Sequence, residues 1–198
     1  MDSGKKSLLW LLTVFVAPIL IGTLLFFNLD RLGFEKSTVN YGTLIKPPFP
    51  AKVGDLLVAN KVAIREETIA KKWTMLYVEA GECDEACQKR LKLIKRIRLL
   101  MNEQLRRVRT TFVSTEAVGK TIDRKLHHDM VLAHLNTESA SLNADSSTFL
   151  KQLPHLDKKP VYLLDPLGNL MMYYPQENPD IKKMIKDLLK LLKYSRLG

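Results

Sequence analysis

The residues best able to do chemistry are two cysteines, Cys83 and Cys87, in a chain of 198 residues with no other cysteine. They are four positions apart, so on the first turn of a helix both thiols lie on one face. Two thiols placed in this way can form a disulfide, or can bind one soft ion such as Cu(I). Two unrelated cysteines are the alternative, but their position at a strand-to-helix junction favours a joint function.

Three carboxylates, Glu82, Asp84 and Glu85, surround the pair. A helix N-terminus lowers the pKa of a thiol, whereas nearby carboxylates oppose formation of the thiolate. The same carboxylates attract a cation. The charges therefore favour a metal site or a mild reductant over a powerful oxidant, and the Cys-x-x-x-Cys spacing points the same way.

The flanking sequence predicts a strand, a helix and a second strand. Residues 73–78 form a continuous apolar run that is typical of a strand buried on both faces. Apolar residues then recur every three or four positions from Leu91 to Met101, which predicts a helix. Residues 108–114 predict a second strand. The resulting βαβ unit favours parallel strands.

The remaining sequence predicts further elements on both sides of this unit. Residues 37–56 are rich in proline and predict an extended segment, and 56–63 predict a short strand. We expect a helix over 120–135 and a loop over 136–147.

The C-terminal part predicts a β-hairpin and a last helix. Its two strands are expected at 160–164 and 170–174, joined by the turn 165–169. Asn178 and Pro179 suit the N-cap and the first position of an amphipathic helix.

The N-terminal part predicts a membrane anchor. Residues 7–29 are free of charge, and as a helix they would reach about 34 Å, compared with about 30 Å for a bilayer core. The run is longer than the apolar region of a signal peptide and ends without a small-residue cleavage site, so we expect it to be retained. Lys5 and Lys6 precede it, and Arg31 and Lys36 follow it beside Asp30 and Glu35, so the charge difference across the span is small. Because the head is short, we expect it to stay in the cytoplasm and the domain to face outward.

Composition excludes several classes of protein. A hydrophobic fraction of 46% with two cysteines excludes a disordered or disulfide-dense chain, and one apolar run is too few for a polytopic membrane protein. The net charge of +10 comes partly from lysines and arginines on the predicted helices. These residues form either an ordinary solvated face or a basic surface for anionic lipids or an acidic partner. Without a nucleic-acid-binding motif, we expect no nucleic-acid partner.

The element order, a βαβ unit followed by a hairpin and a helix, is the thioredoxin arrangement. Residues 72–87 (KWTMLYVEAGECDEAC), 42–50 (GTLIKPPFP) and the end from 162–175 onward resemble the Sco/SenC family of membrane-anchored thioredoxin-fold proteins. The resemblance implies a role in assembling the copper centre of cytochrome c oxidase.

The predicted organisation is therefore α/β, with one N-terminal transmembrane helix before a thioredoxin-like domain. We assign residues 1–6 to a cytoplasmic head, 7–29 to the transmembrane anchor, 30–71 to an extended lead-in and 72–198 to the thioredoxin-like domain. The resemblance places the chain in a bacterial inner membrane as a single-pass protein with a periplasmic C-terminal domain.

The resemblance also implies site residues. Cys83 and Cys87 would be the redox pair or the ligands of a copper ion, and Pro160 would be a cis-proline beside them. The family's third copper ligand is a histidine eight residues before the Asp-Pro-x-Gly turn, where this chain has Asp157. His155 lies two positions away and is the candidate for that ligand, so the chain resembles a divergent member without the usual histidine.

These observations leave three functions open. The first is assistance to cytochrome c oxidase assembly, by copper binding and transfer or by thiol reduction at the copper site, with oxidase subunits or their assembly factors as partners. This would make the chain an assembly factor more than an enzyme. The second is a general membrane-tethered thiol–disulfide oxidoreductase. The third is an accessory protein without metal, in which the cysteines form a structural disulfide.

Overall fold

The computed structural model describes residues 3–28, 40–51, 57–59, 62–63, 71–115, 122, 126–135, 149–175 and 179–195. The chain divides into two compact units, Met1–Val39 and Asn40–Gly198.

The described part of the first unit is one helix, α1, over Ser3–Asn28. It is long and apolar enough to cross a membrane, and its large apolar side chains are exposed within the unit. The hydroxyls of Thr13 and Thr23 each donate a hydrogen bond to the carbonyl four residues earlier. Their polar groups are thus satisfied within the helix, as an apolar environment requires.

Described residues of the second unit form one eight-stranded mixed sheet in the order β1-β8-β7-β4-β5-β6-β2-β3. The strands are β1 Thr43–Pro50, β2 Leu57–Ala59, β3 Val62–Ala63, β4 Trp73–Glu79, β5 Val108–Ser114, β6 Val131–Leu135, β7 Val161–Leu164 and β8 Asn169–Tyr174. Two long helices complete the unit, α2 Glu85–Leu100 and α3 Ile181–Tyr194. Short 3-10 helices cover Asn102–Arg107 and Leu156–Lys158.

Strand β4 is the centre of the sheet, and all seven of its residues are buried. It pairs in parallel with β5 and antiparallel with β7. Because side chains alternate along a strand, Met75 and Tyr77 enter one hydrophobic cluster, whereas Leu76 and Val78 enter another. The buried run at 73–78 and the parallel βαβ unit are therefore confirmed.

The two helices bury their apolar faces in the cluster that holds Met75 and Tyr77. Leu91, Ile94 and Ile97 of α2 are fully buried there, together with Leu188 of α3. The other cluster lies on the opposite face of β4 and includes Phe149 and Leu153. The helices and the segment that begins at residue 149 therefore belong to different sides of the sheet.

Two expectations from the sequence differ from the structure. Residues 131–135 form β6, parallel to β5, and not part of a helix, because backbone pairing with β5 outweighs a helical spacing of only a few apolar residues. The segment expected as an extended lead-in contributes β1, which pairs with β8 at the sheet edge. The predicted loop at 136–147 lies outside the described residues.

The start of the last helix also differs. Asp180 is the N-cap of α3, and its carboxylate accepts a hydrogen bond from the Lys183 N–H. The helix therefore begins at Ile181, and Pro179 is not its first residue. Asn178, the predicted cap, lies outside the described residues. The hairpin of β7 and β8 is confirmed, with Asp165 accepting hydrogen bonds from the backbone of Leu167 and Asn169 in its turn.

Candidate functional site

The cysteines lie in the connection between β4 and α2. After β4 the chain turns at Gly81, whose φ of 96° is in the left-handed region that glycine adopts without strain. Its N–H donates to the hydroxyl of Thr115 at 2.9 Å, and its carbonyl accepts from the Ser114 hydroxyl at 3.1 Å. The end of β5 therefore fixes the turn that leads to Cys83.

A disulfide joins Cys83 to Cys87, and their Cα atoms are 5.2 Å apart. The convergence predicted from the four-residue spacing is thus confirmed. Cys83 is 6% exposed and Cys87 is 1% exposed, and both belong to the cluster shared with α2 and α3. Cys83 is therefore the slightly more accessible of two buried residues.

Asp84, between the two cysteines, is the N-cap of α2. Its Oδ1 accepts a hydrogen bond from the Cys87 N–H at 2.8 Å. This bond satisfies one of the free backbone donors of the first turn. It also fixes the backbone of Cys87, so the helix holds the second cysteine in place while the first lies just before the cap.

The charges around the disulfide are mostly negative and exposed. Glu82, Asp84 and Glu85 are exposed, and Glu85 pairs with Lys89 one turn along α2. The pKa of Glu85 is lowered by this hydrogen bond and charge, and the pKa of Lys89 is raised by the same partner. A helix N-terminus stabilises a negative charge placed beside it, whereas nearby carboxylates destabilise it, so these two influences on the motif act in opposite directions.

Four polar residues on the same side of the sheet form a mostly buried polar cluster: Tyr77, Glu79 and Arg90 are buried, and Lys159 is partly exposed. We call it the buried polar cluster. The Tyr77 hydroxyl donates to Glu79 Oε2 at 2.6 Å, and Lys159 forms an ion pair with Glu79, which is only 1% exposed. Burial, followed by the hydrogen bond to Glu79, raises the pKa of Tyr77, so its phenol stays protonated. The Arg90 charge lowers the pKa of Tyr77 and the Asp84 charge raises it, each by less than burial and Glu79 raise it.

Sequence reasoning did not identify this buried polar cluster. An acidic residue at the end of a fully apolar strand is a usable signal, because a buried carboxylate requires a partner. The partner Lys159 comes from the turn before β7, and no local pattern connects that turn with Glu79.

The prediction that Pro160 follows a cis peptide bond is wrong. In the described residues the cis bond joins Lys46 to Pro47, and the Lys159–Pro160 bond is trans. The chain enters β7 through a 3-10 turn flanked by His155 and Lys159, both with positive φ. The left-handed backbone conformations of these two residues turn the chain into the direction of β7. Pro160 is buried directly before Val161, which is paired with Tyr77 of β4.

The structure does not bring His155 to the cysteines. Its ring packs against Tyr173, with ring centroids 5.3 Å apart. Tyr173 packs against the cluster of Leu76 and Val78, whereas the disulfide belongs to the other cluster. His155 and the cysteine pair therefore lie on opposite sides of the sheet, because the 3-10 turn directs the histidine towards β8.

The described residues do not fit the copper site that the resemblance implies. Among them, no group of three histidine, cysteine or acidic side chains is placed to hold a metal ion. Both sulfurs are bonded to each other, and thiolates rather than disulfide sulfurs ligate copper. After reduction of the disulfide, the thiolates of Cys83 and Cys87, without His155, would be the ligands available to a soft cation.

Comparison with known protein families identifies the family of this domain. Residues 73–195 match the family described as the transmembrane-like, thioredoxin-like C-terminal domain. The chain belongs to this family. The match begins at the first residue of β4 and continues through α3, so the family domain contains the cysteine pair and the buried polar cluster. Among curated proteins, none matches the sequence.

Solved structures of Sco proteins share the fold of this family member. Apo Sco1 from Thermus thermophilus is 18% identical with a TM-score of 0.57, and the match covers 79% of this chain and 99% of that one. Arabidopsis thaliana ScoI with copper bound is 17% identical with a TM-score of 0.51, covering 78% and 99%. Yeast Sco1 with copper bound is 14% identical with a TM-score of 0.52, covering 80% and 96%. The predicted α/β thioredoxin-like fold and its resemblance to Sco proteins are confirmed.

Proposed function

We propose that this chain is a membrane-anchored thiol–disulfide protein that assists cytochrome c oxidase assembly by reducing the cysteines of the oxidase copper site. The observation that carries the proposal is the Cys83–Cys87 disulfide at the N-terminus of α2, in a Sco-like thioredoxin fold. The helix α1 would be the anchor in a bacterial inner membrane, with the domain on the periplasmic side. Copper transfer is the less supported form of this role, because His155 lies away from the cysteines.

The exchange would proceed through Cys83. In the reduced protein, the Cys83 thiolate attacks one sulfur of the partner's disulfide, a mixed disulfide forms, and the other partner sulfur leaves as a thiolate that takes up a proton. The Cys87 thiolate then attacks Cys83 Sγ, which forms the Cys83–Cys87 disulfide and releases the second partner thiol. Two electrons pass to the partner, and a reducing dithiol protein must return two electrons to this chain.

The test uses the full chain in detergent, reduced and freed of excess reductant. It is mixed with the oxidised copper-site domain of cytochrome c oxidase, and thiols on both proteins are counted by alkylation and mass spectrometry. We expect one partner disulfide reduced for each chain oxidised. The Cys87→Ser variant should accumulate a mixed disulfide through Cys83, and the matched Cys83→Ser variant should not.

The alternatives predict different results. If oxidised insulin is reduced as fast as the oxidase domain, the chain is a general oxidoreductase. If neither substrate is reduced and no mixed disulfide accumulates, the cysteines form a structural disulfide and the proposal is overturned.

A further inference from the structure

The outer face of α3 is strongly basic. Asp187, the only carboxylate between residues 181 and 194, is buried. Lys183 forms an exposed ion pair with the N-cap Asp180 at 3.8 Å. Two exposed residues with apolar surface lie among the lysines, Leu189 at 41% and Tyr194 at 74% exposure. We call this surface the α3 lysine face; its lysines are Lys182, Lys183, Lys186, Lys190 and Lys193.

The chain that arrives from α1 is attached to the same helix. The Gly42 N–H donates to Asp187 Oδ2 at 2.9 Å, and the Asp180 N–H donates to the Tyr41 hydroxyl at 2.9 Å. Lys183 also lies over the Tyr41 ring, 5.5 Å from its centroid. The second unit therefore holds its own N-terminal end against α3.

The connection to the membrane segment is short. Residues 29–39 separate the end of α1 from Asn40, and eleven residues reach at most about 40 Å when fully extended. The chain therefore tethers the domain that carries the α3 lysine face to the bilayer in which α1 would be anchored, which gives that domain a high effective concentration at the membrane.

We propose that the α3 lysine face binds the anionic lipid head groups of the membrane that holds α1. Lysines near an anionic bilayer are attracted to it, and the attraction falls off within about a Debye length, roughly 10 Å at 0.1 M salt. Tyrosine places its ring at the lipid–water interface with the hydroxyl in water, and a leucine beside it adds apolar contact. The surface is independent of the redox activity proposed above.

The experiment uses the full chain in nanodiscs of neutral phosphatidylcholine or of phosphatidylcholine with phosphatidylglycerol. Lysines are acetylated briefly, and the rate at each lysine is measured by mass spectrometry. We expect Lys186, Lys190 and Lys193 to react about threefold more slowly in the anionic discs, with the difference lost at 0.5 M NaCl, roughly where the Debye length becomes a few ångströms. Exposed Lys151 and Lys158, on the segment that packs against the other side of the sheet, should react equally in both discs.

A matched pair of variants separates binding from general charge effects. In Lys186→Gln/Lys190→Gln, the slower acetylation of Lys193 in anionic discs should disappear, whereas Lys151→Gln/Lys158→Gln should retain it. Circular dichroism confirms that both variants are folded. Equal rates in the two kinds of disc would overturn the proposal, as would slowing of Lys151 and Lys158 to the same extent. Slowing by soluble poly-glutamate but not by the anionic discs would also overturn it and would indicate an acidic protein partner.

Discussion

Lys159, in the turn before β7, forms an ion pair with Glu79 at the end of β4. The carboxylate is almost completely buried, whereas about a third of the lysine side chain is exposed. A buried charge is tolerated when it is paired and hydrogen-bonded, and Tyr77 supplies the hydrogen bond. The central strand that leads into the cysteine motif is therefore held in place by a residue far along the chain.

We expect Lys159→Met to lower the free energy of unfolding by about 1–3 kcal/mol, because Glu79 would lose its charged partner inside the protein. The measurement is urea denaturation followed by circular dichroism. Glu79→Gln in the same variant should restore part of the loss, since a neutral amide needs no counter-charge. A loss of stability that Glu79→Gln leaves unchanged would show that the ion pair is not the cause.

Removal of the α2 cap should also destabilise the domain. Asp84→Ala deletes the acceptor for the Cys87 N–H, and we expect a loss of about 1 kcal/mol in the free energy of unfolding. Glu82→Ala is the matched control, because it removes a nearby exposed carboxylate that is not the cap. Equal effects of the two substitutions would contradict the capping role of Asp84.

Gly42 has no room for a side chain. A Cβ at this position would lie 2.7 Å from Cε1 of the buried Tyr174 ring. Gly42→Ala must displace that ring, and we expect it to lower the free energy of unfolding by about 1–3 kcal/mol. The penalty should shrink in a Tyr174→Leu background. An equal penalty in both backgrounds would show that the ring is not responsible.

Buried tyrosines should make the domain sensitive to alkali. Burial, as the largest cause, raises the pKa of Tyr77, Tyr162 and Tyr174 above the usual value near 10. Below pH 10 these phenols are neutral in both the folded and the unfolded protein. Above pH 10 they ionise more readily in the unfolded chain. Stability is therefore full below pH 10 and falls as the pH rises further. Absorbance at 295 nm should show these tyrosines ionising together with unfolding; ionisation near pH 10 in the folded protein would contradict this.

His155 should not affect metal binding by the reduced cysteines. If the reduced full chain binds Cu(I) in competition with a chelator, His155→Ala should leave the affinity unchanged, whereas Cys83→Ser/Cys87→Ser should abolish binding. Weaker binding in the His155 variant would show that the reduced protein assembles the three-ligand site after all.

The local part of the site could be predicted from the sequence, because the four-residue cysteine spacing and the apolar run before it are short-range signals. The hairpin could also be predicted from the sequence, since its turn residues act locally. The environment of the cysteines could not be predicted, because Ser114 and Lys159 come from distant segments of the chain. Likewise, residues 131–135 are few enough to suit a helix or a strand, and only pairing with β5 decides between them.

The most direct test of the account is the midpoint reduction potential of the Cys83–Cys87 pair in the full chain. The protein is equilibrated in glutathione and dithiothreitol buffers of known potential, free thiols are alkylated, and the oxidised fraction is measured by mass spectrometry alongside circular dichroism. We expect reversible interconversion with a midpoint above about −300 mV and a fold that persists in both states. A pair that stays oxidised well below that potential, or whose reduction unfolds the domain, would show that the disulfide is structural.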